Sequence, residues 1–369
     1  MNQLFRRDQM GLFLLALAAG ILPFAVPEVC AAALREGLTL CSGPLLLSLF
    51  PFLVVSRLLI QCPESDLLAL PFRLAAWGIG IRTPCAARVL CIGFLGGFAP
   101  AASAAAQAVR TGQLTAEEAD ALLPACICSG PSFVVLTVGQ SLLGSAELGV
   151  LLFASQITAN YLTAALLNRF VGVRSVKPGS AAPASPAPPR LDEILADAAI
   201  TYCKLCGFIL FFRMLAAGAG ALLPAGAGTL CAVLLEVCSG CDLASRTGRW
   251  GSLFCCAALS VQGLSVLLQV RTICPPEMTL RPLYRSRLLH LPLSLALFYL
   301  LLPGGEADVF STLPARVLLM RRVPPDCALL VFAVCCMAAC TLRSGIRQVE
   351  QKQMARNAGG CCINSKTLL

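Results

Sequence analysis

The sequence predicts an all-α protein: a polytopic integral membrane helical bundle in two repeated halves, each containing broken or re-entrant helices. Three observations predict it. Of the 369 residues, 57% are hydrophobic and only 13% charged, with a mean hydropathy of +0.80; a soluble domain carries about 25% charged residues, so this chain lacks the polar surface to face water all round. Apolar runs of spanning length alternate with short basic segments. Several runs are interrupted by Gly and Pro, above all between Gly93 and Phe170, where one stretch breaks at Gly96-Gly97-Phe98-Ala99-Pro100 and the next begins at Cys126-Ile127-Cys128-Ser129-Gly130-Pro131. Breaks at membrane depth free backbone groups, which is tolerated only where protein or a watery cavity takes up the hydrogen bonds. Such breaks mark a site.

Taken in order, residues 1–37 are expected to form an N-terminal membrane anchor. Arg6 and Arg7, an apolar core and Ala31-Ala32-Ala33 also match the three parts of a signal peptide. The hydrophobicity of the rest favours an uncleaved anchor with the arginines cytoplasmic. Residues 38–170 form the first membrane half. Its stretch 38–60 is long enough to cross, about 20 residues being needed, whereas 67–81 is shorter, carries Pro71, Arg73 and Gly78, and reads as interfacial or as part of a broken span. The limb 85–109 has almost no bulky residue after Phe98, and small side chains let helices approach closely in lipid, so it belongs inside the bundle. Thr115 with Glu118 makes a capping box that starts the next helix. Residues 122–144 form a second limb and 148–170 a span, in which Gln156 and Asn160 share one face, either as a site wall or as helix–helix glue. Residues 171–190, rich in Pro, Ala and Ser with basic residues among them, are a linker on the cytoplasmic side. The second half follows at 191–287, C-terminal spans at 288–342 and a basic tail at 343–369. Eight to ten crossings fit.

The two halves align. Pro51-Phe52-Leu53-Val54-Val55-Ser56-Arg57-Leu58-Leu59 matches Gly207-Phe208-Ile209-Leu210-Phe211-Phe212-Arg213-Met214-Leu215 without gaps, and Ser129-Gly130-Pro131-Ser132-Phe133-Val134 matches Gln262-Gly263-Leu264-Ser265-Val266-Leu267. Between these anchors each half holds a small-residue turn, the Gly96 to Pro100 run in one and Cys238-Ser239-Gly240-Cys241-Asp242 in the other. Paired interruptions in two halves are the sequence pointer to a midplane binding site in transporter folds. Arg57 and Arg213 occupy matching positions near span ends, where such side chains snorkel by default.

Charge and chemistry narrow the function. The net charge of +9 is spread over loops between spans, which is the cytoplasmic retention pattern and not the basic face of a nucleic-acid binder, so no nucleic-acid partner is expected. Most of the 21 cysteines stand inside apolar runs, where a thiol behaves as a small hydrophobe. The pairs Cys203/Cys206 and Cys238/Cys241 imitate zinc knuckles at the wrong separation, so no metal is expected. His290 is the sole histidine and no phosphate-binding Gly-rich loop of the GxxxxGK[ST] form occurs; the chain is read as no enzyme, with no catalytic residue and no cofactor. Glu236 lies in an apolar run, where a carboxylate needs neutralisation, a partner or water. Proton coupling and an ion pair with Arg57 or Arg213 are both open for it.

The stretch from Gly93 to Ala104, the Gln113-Leu114-Thr115-Ala116-Glu117-Glu118-Ala119 helix start, the Ser129-Gly130-Pro131 turn and Phe133 resemble the YlbJ-type sporulation integral membrane proteins, which belong with the nucleoside-recognition or Gate domains. Further similarity falls at residues 51–59, 207–215, 234–240 and 263–269, so the likeness covers most of residues 40–270. It implies two Gate-like halves, a multi-pass cell-membrane protein, a role in spore cortex formation, and recognition of a nucleoside-like or other small polar solute. The alternative is a non-transporting membrane scaffold for spore envelope assembly. The expected partners are the lipid bilayer, a small polar solute and other sporulation membrane proteins. The candidate solute-binding residues flank the interruptions: Gly97, Ser103 and Gln107; Ser129, Gly130 and Ser132, with Asn160; Glu236, Ser239, Gly240 and Asp242; and Gln262, Gly263, Ser265 and Gln269.

Overall fold

The computed structural model describes residues 2–61, 66–171 and 191–302. The linker 171–190 from its second residue onward, the last span expected near 327–342 and the basic tail 343–369 lie outside the described residues. Every regular element among those described is helical, with no strand.

The chain opens with α1 (Asn2–Ala25) and α2 (Pro27–Ser42), which meet at a bend of 110°. Pro23 removes a backbone donor and Pro27 starts a new first turn, which explains a bend at that point. After Gly43 follow α3 (Pro44–Gln61), the short α4 (Leu70–Gly78), α5 (Pro84–Gly96) and α6 (Phe98–Arg110). Next come α7 (Ala116–Cys126), a π-helix (Ser132–Leu142) and α8 (Ala146–Val171). In the second half stand α9 (Leu191–Leu222), α10 (Ala225–Leu235), α11 (Val237–Ser245), α12 (Gly251–Val261), α13 (Gly263–Ile273) and α14 (Arg281–Leu301). The expected boundary at residues 37 and 38 thus falls inside α2.

Three stretches are long and apolar enough to cross a membrane: Ala146–Phe170, Leu191–Leu222 and Gly248–Ile273; the bent pair α1/α2 makes a fourth if it counts as one span. The other apolar helices, Leu49–Ile60, Pro84–Gly96, Ser132–Leu142 and Gly226–Leu235, fall short of the roughly 20 residues a crossing needs, so the eight to ten crossings expected are not eight to ten continuous helices. The exterior carries large apolar side chains in contact with the surroundings, among them Phe24 (89% exposed), Leu288 (79%) and Leu300 (77%). Water would oppose such a surface and a bilayer would not, so these helices are suited to a lipid environment.

Polar side chains are turned inward. Ser103, Ser129, Gln156, Asn160, Glu236, Gln262, Ser265, Gln269 and His290 are all buried. Helix α6 lies at the centre, its residues from Ala99 to Ala106 all buried, as its small side chains predict.

Cross-helix bonds fix which helix ends lie together. Arg88 on α5 donates to Ile60 O at the end of α3 (2.7 Å) and to Gln113 Oε1 just after α6 (2.9 Å). Helices α5 and α6 are therefore an antiparallel hairpin with both feet at one end of the bundle. Asn168, near the end of α8, donates to Ile79 O (2.9 Å) and Ala121 O (3.1 Å), and Asp120 of α7 accepts from Thr279 N, Thr279 Oγ1 and Leu280 N ahead of α14. Arg57, near the end of α3, pairs with Asp197 near the start of α9. The same end thus holds the end of α3, the feet of α5/α6, the start of α7, the end of α8 and the starts of α9 and α14; we call it the linker end.

The capping box at the start of α7 is formed as predicted. Glu118 N donates to Thr115 Oγ1 (3.1 Å), Thr115 N donates to Glu118 Oε2 (3.1 Å), and Thr83 Oγ1 donates to Glu118 Oε1. Replacing Thr115 with Ala removes one of these acceptors and is expected to cost about 1 kcal/mol. The check is a fall in the thermal unfolding midpoint of the detergent-solubilised protein.

Candidate functional site

Two pairs of interrupted helices form the interior. In the first half the hairpin α5/α6 turns at Gly97, whose φ of 80° and ψ of −162° belong to glycine. This turn presses on the interruption between α7 and the π-helix: a Cβ built on Gly97 would stand 2.6 Å from Gly130 N and 2.9 Å from Gly130 Cα. The second interruption begins at Ile127, where the backbone leaves the helix (φ −84°, ψ 95°) three residues after Pro124. Asn160 Nδ2, from α8, donates to Ile127 O at 3.4 Å. The freed carbonyl is thus taken up by protein, as membrane depth requires.

A second contact of this kind involves different residues. Helices α10 and α11 pack on each other and are separated by one extended residue, Glu236 (φ −150°, ψ 126°). Its carboxylate accepts from Cys238 N (2.8 Å), Ser239 N (2.7 Å) and Ser239 Oγ (2.9 Å). The expected turn at Cys238 to Asp242 is therefore helix, and the break stands at Glu236 instead. The helix N-terminus that the sequence offered to a ligand is occupied by the chain's own acid, which caps it. Glu236 forms no ion pair with Arg57 or Arg213; those two meet Asp197 and Glu36. The opposing interruption lies between α12 and α13, where Gln262 (φ 66°) and Gly263 (φ 70°) are both left-handed. A Cβ on Gly263 would stand 3.0 Å from Glu236 N and from Leu235 O.

Gln262 is one of two non-glycine residues with positive φ among the described residues, the other being Leu280 (φ 56°) ahead of α14. A side chain in the left-handed region costs roughly 1–2 kcal/mol, and Gln262 is also 1% exposed. Its Nε2 donates to Leu259 O (2.7 Å), while its Oε1 has no partner. On the following helix Gln269 Nε2 donates to Ser265 Oγ (2.8 Å), and Gln269 Oε1 is likewise without a partner. Two buried amide oxygens on one helix, each costing about 1–3 kcal/mol when left unsatisfied, are what a donor-bearing solute or a water would satisfy.

The expected residues divide accordingly. Gly97, Ser129 and Gly130 meet at the first contact, and Glu236, Ser239, Gln262 and Gly263 at the second, with Ser265 and Gln269 along α13. Ser132 begins the π-helix, half-buried. Gly240 is spent on packing, since a Cβ there would stand 2.8 Å from Val233 Cα. Asp242 faces away from the break and pairs with Arg246 one turn on, at 2.7 Å. Gln107 lies half-buried near the end of α6, and Ser103 lines a separate cavity with Arg57 and Arg110.

Gln156 and Asn160 act as helix–helix glue. Gln156 Nε2 donates to Ser260 Oγ (3.0 Å) and Cys256 O (3.3 Å) of α12, and Asn160 Oδ1 accepts from Arg287 Nη2 of α14 (3.3 Å). The sequence reading missed Ser286, Arg287 and Ser294, which with His290 form the buried polar stripe of α14. Their spacing of three and four residues in an otherwise apolar helix is the signal that would have found them. Arg57 does not snorkel: it is 8% exposed and bonded to Asp197 and to Thr201 Oγ1. Among the described residues no group of three or more His, Cys, Asp or Glu side chains is placed to hold a metal ion.

Gly97→Ala is expected to destabilise far more than Gly112→Ala. Both glycines have positive φ, 80° and 71°, but Gly112 has nothing within 4 Å of its added Cβ while Gly97 meets the Gly130 backbone. The open site should lose on the order of 1 kcal/mol and the closed one several, read as the midpoint of thermal unfolding in detergent. Comparison with protein-family models, with curated proteins and with solved structures gives no match for this chain.

Proposed function

We propose that the chain is a transporter-like membrane protein whose two Gate-like halves are inverted repeats and whose solute site lies between the four helix interruptions. The supporting observation is that in each half a glycine of positive φ on one interrupted helix touches the backbone break of another: Gly97 against Gly130, Gly263 against Glu236. Matching α3 with α9, α5/α6 with α10/α11, α7/π-helix with α12/α13 and α8 with α14 exchanges several of the contacts between halves, although the close packing of α8 on the π-helix has no comparable counterpart between α14 and α13. The pair α6 with α13 becomes α11 with the π-helix, and α7 with α14 becomes α12 with α8. Pairs α3 with α9 and α8 with α14 map onto themselves. Such exchange is what two halves related by a two-fold axis would produce, and it supports the reading.

Arg57 and Arg213, aligned in the sequence, both form ion pairs that involve α9: Arg57 of α3 bonds Asp197 of α9, and Arg213 of α9 bonds Glu36 of α2. Chain direction inverts, because α3 runs toward the linker end where α9 starts. Inverted repeats with discontinuous helices are the architecture in which a midplane site is opened alternately to either side. The buried, unpartnered oxygens of Gln262 and Gln269 favour a solute with hydrogen-bond donors, which a nucleoside-like molecule has. A role in spore cortex formation rests on the resemblance to YlbJ-type proteins alone.

The test is uptake of radiolabelled uridine and adenosine by proteoliposomes containing the full chain. Uptake by the unaltered protein, lost at least about tenfold in Gln262→Ala and Gln269→Ala with both variants still monodisperse in detergent, supports the proposal. Uptake above empty liposomes that is equal in variants and parent rejects the assigned site, and uptake no greater than in empty liposomes rejects transport in favour of the scaffold reading.

A further inference from the structure

Beside the Arg57–Asp197 pair, where the ends of α3, α6 and α13 approach the start of α9, lies a cavity of about 170 Å³. It is distinct from the helix interruptions, since neither Gly97, Gly130, Glu236, Gln262 nor Gly263 lines it. Its charge is unbalanced. Arg57, Arg110 and Lys204 converge on it from α3, α6 and α9, against a single carboxylate, Asp197. That carboxylate is already engaged by Arg57 Nη1, and Arg57 Nη2 donates to Thr201 Oγ1 at 3.4 Å. Among the described residues neither Arg110 nor Lys204 has an ion-pair partner, and Arg57, buried, keeps an Nε without an acceptor. Ser103, Thr201 and Thr272 add hydroxyls to the wall.

Isolated surface cations are ordinary, but three on separate helices facing one concavity focus the field there, because the helices behind them are apolar and of low dielectric. Guanidinium and ammonium groups with neighbouring hydroxyls are the donor set that suits a tetrahedral oxyanion. We infer that this cavity binds an oxyanion of the phosphate class at the junction of the two halves. Its position at the linker end, beside the start of a span, makes either a free phosphate group or the phosphate of an anionic lipid a source. The inference does not require that anything cross the membrane.

The experiment uses the full chain and the variants Arg110→Gln and Lys204→Gln, both at exposed positions, with Arg57 left intact because its pair is structural. Inorganic phosphate is titrated in detergent against equal ionic strength of chloride, with thermal stabilisation as the readout. Retention of phosphatidylglycerol against phosphatidylcholine is measured by native mass spectrometry. Stabilisation by phosphate and not by chloride, weakened at least about tenfold in each variant, supports a soluble oxyanion ligand. Selective retention of phosphatidylglycerol, lost in the variants without phosphate stabilisation, supports the lipid source. Equal behaviour of parent and variants in both arms, or no preference for phosphate or phosphatidylglycerol in the parent, overturns the inference.

Discussion

The interior depends on backbone meeting backbone without a side chain between. At Gly97 against Gly130, and at Gly263 against Glu236, helix interruptions approach so closely that a methyl group would collide with main-chain atoms. In a bilayer each interruption strands donors and acceptors that water cannot reach, at a cost of several kcal/mol apiece unless another part of the chain receives them. Packing one interruption against another, and lending Asn160 Nδ2 to Ile127 O, brings polar backbone together in the middle of the bundle. The hairpins α5/α6 and α10/α11 are short for the same reason: each reaches its contact and turns back.

Around that centre the polar side chains bond across helices, and several keep a buried atom without a partner, Gln156 Oε1, Arg287 Nη1 and His290 Nδ1 among them. Gln156, Asn160, Ser260, Arg287 and Ser294 bond across α8, α12 and α14, which are otherwise held only by dispersion in a lipid solvent. Glu236 caps α11 and spends its carboxylate locally. Gln262 and Gln269 keep buried oxygens without donors, and Gln262 keeps a left-handed backbone besides.

Two ion pairs also tie α9 to the N-terminal helices. Arg57 bonds Asp197 and Arg213 bonds Glu36, so the ion pairs clasp α3 and α2 to α9 at two depths. The excess of positive charge lies beside the first clasp, where Arg110 and Lys204 join Arg57 around a cavity, whereas the interruptions carry the Glu236 carboxylate and the amides of Gln262 and Gln269. The two polar regions thus differ in chemistry.

What the sequence determined by itself is local. Composition pointed to a lipid environment, Thr115 and Glu118 marked the start of α7, the run of alanines sent α6 to the centre, and glycines and prolines marked interruptions near Gly97, Gly130 and Gly263. These follow from rotamers, capping and missing backbone donors within a few residues. The break at Glu236 was displaced in the reading, because no glycine or proline announces it and only an acid able to cap the next helix does. Tertiary structure alone decided which interruption touches which, that Arg57 and Arg213 find Asp197 and Glu36 and leave Glu236 aside, and that Asp242 and Gln107 stand away from the breaks. Those contacts join residues up to 177 positions apart, and an apolar helix carries no local mark of the neighbour it will meet, since in lipid its partners are chosen by shape and by the few polar groups that must be satisfied.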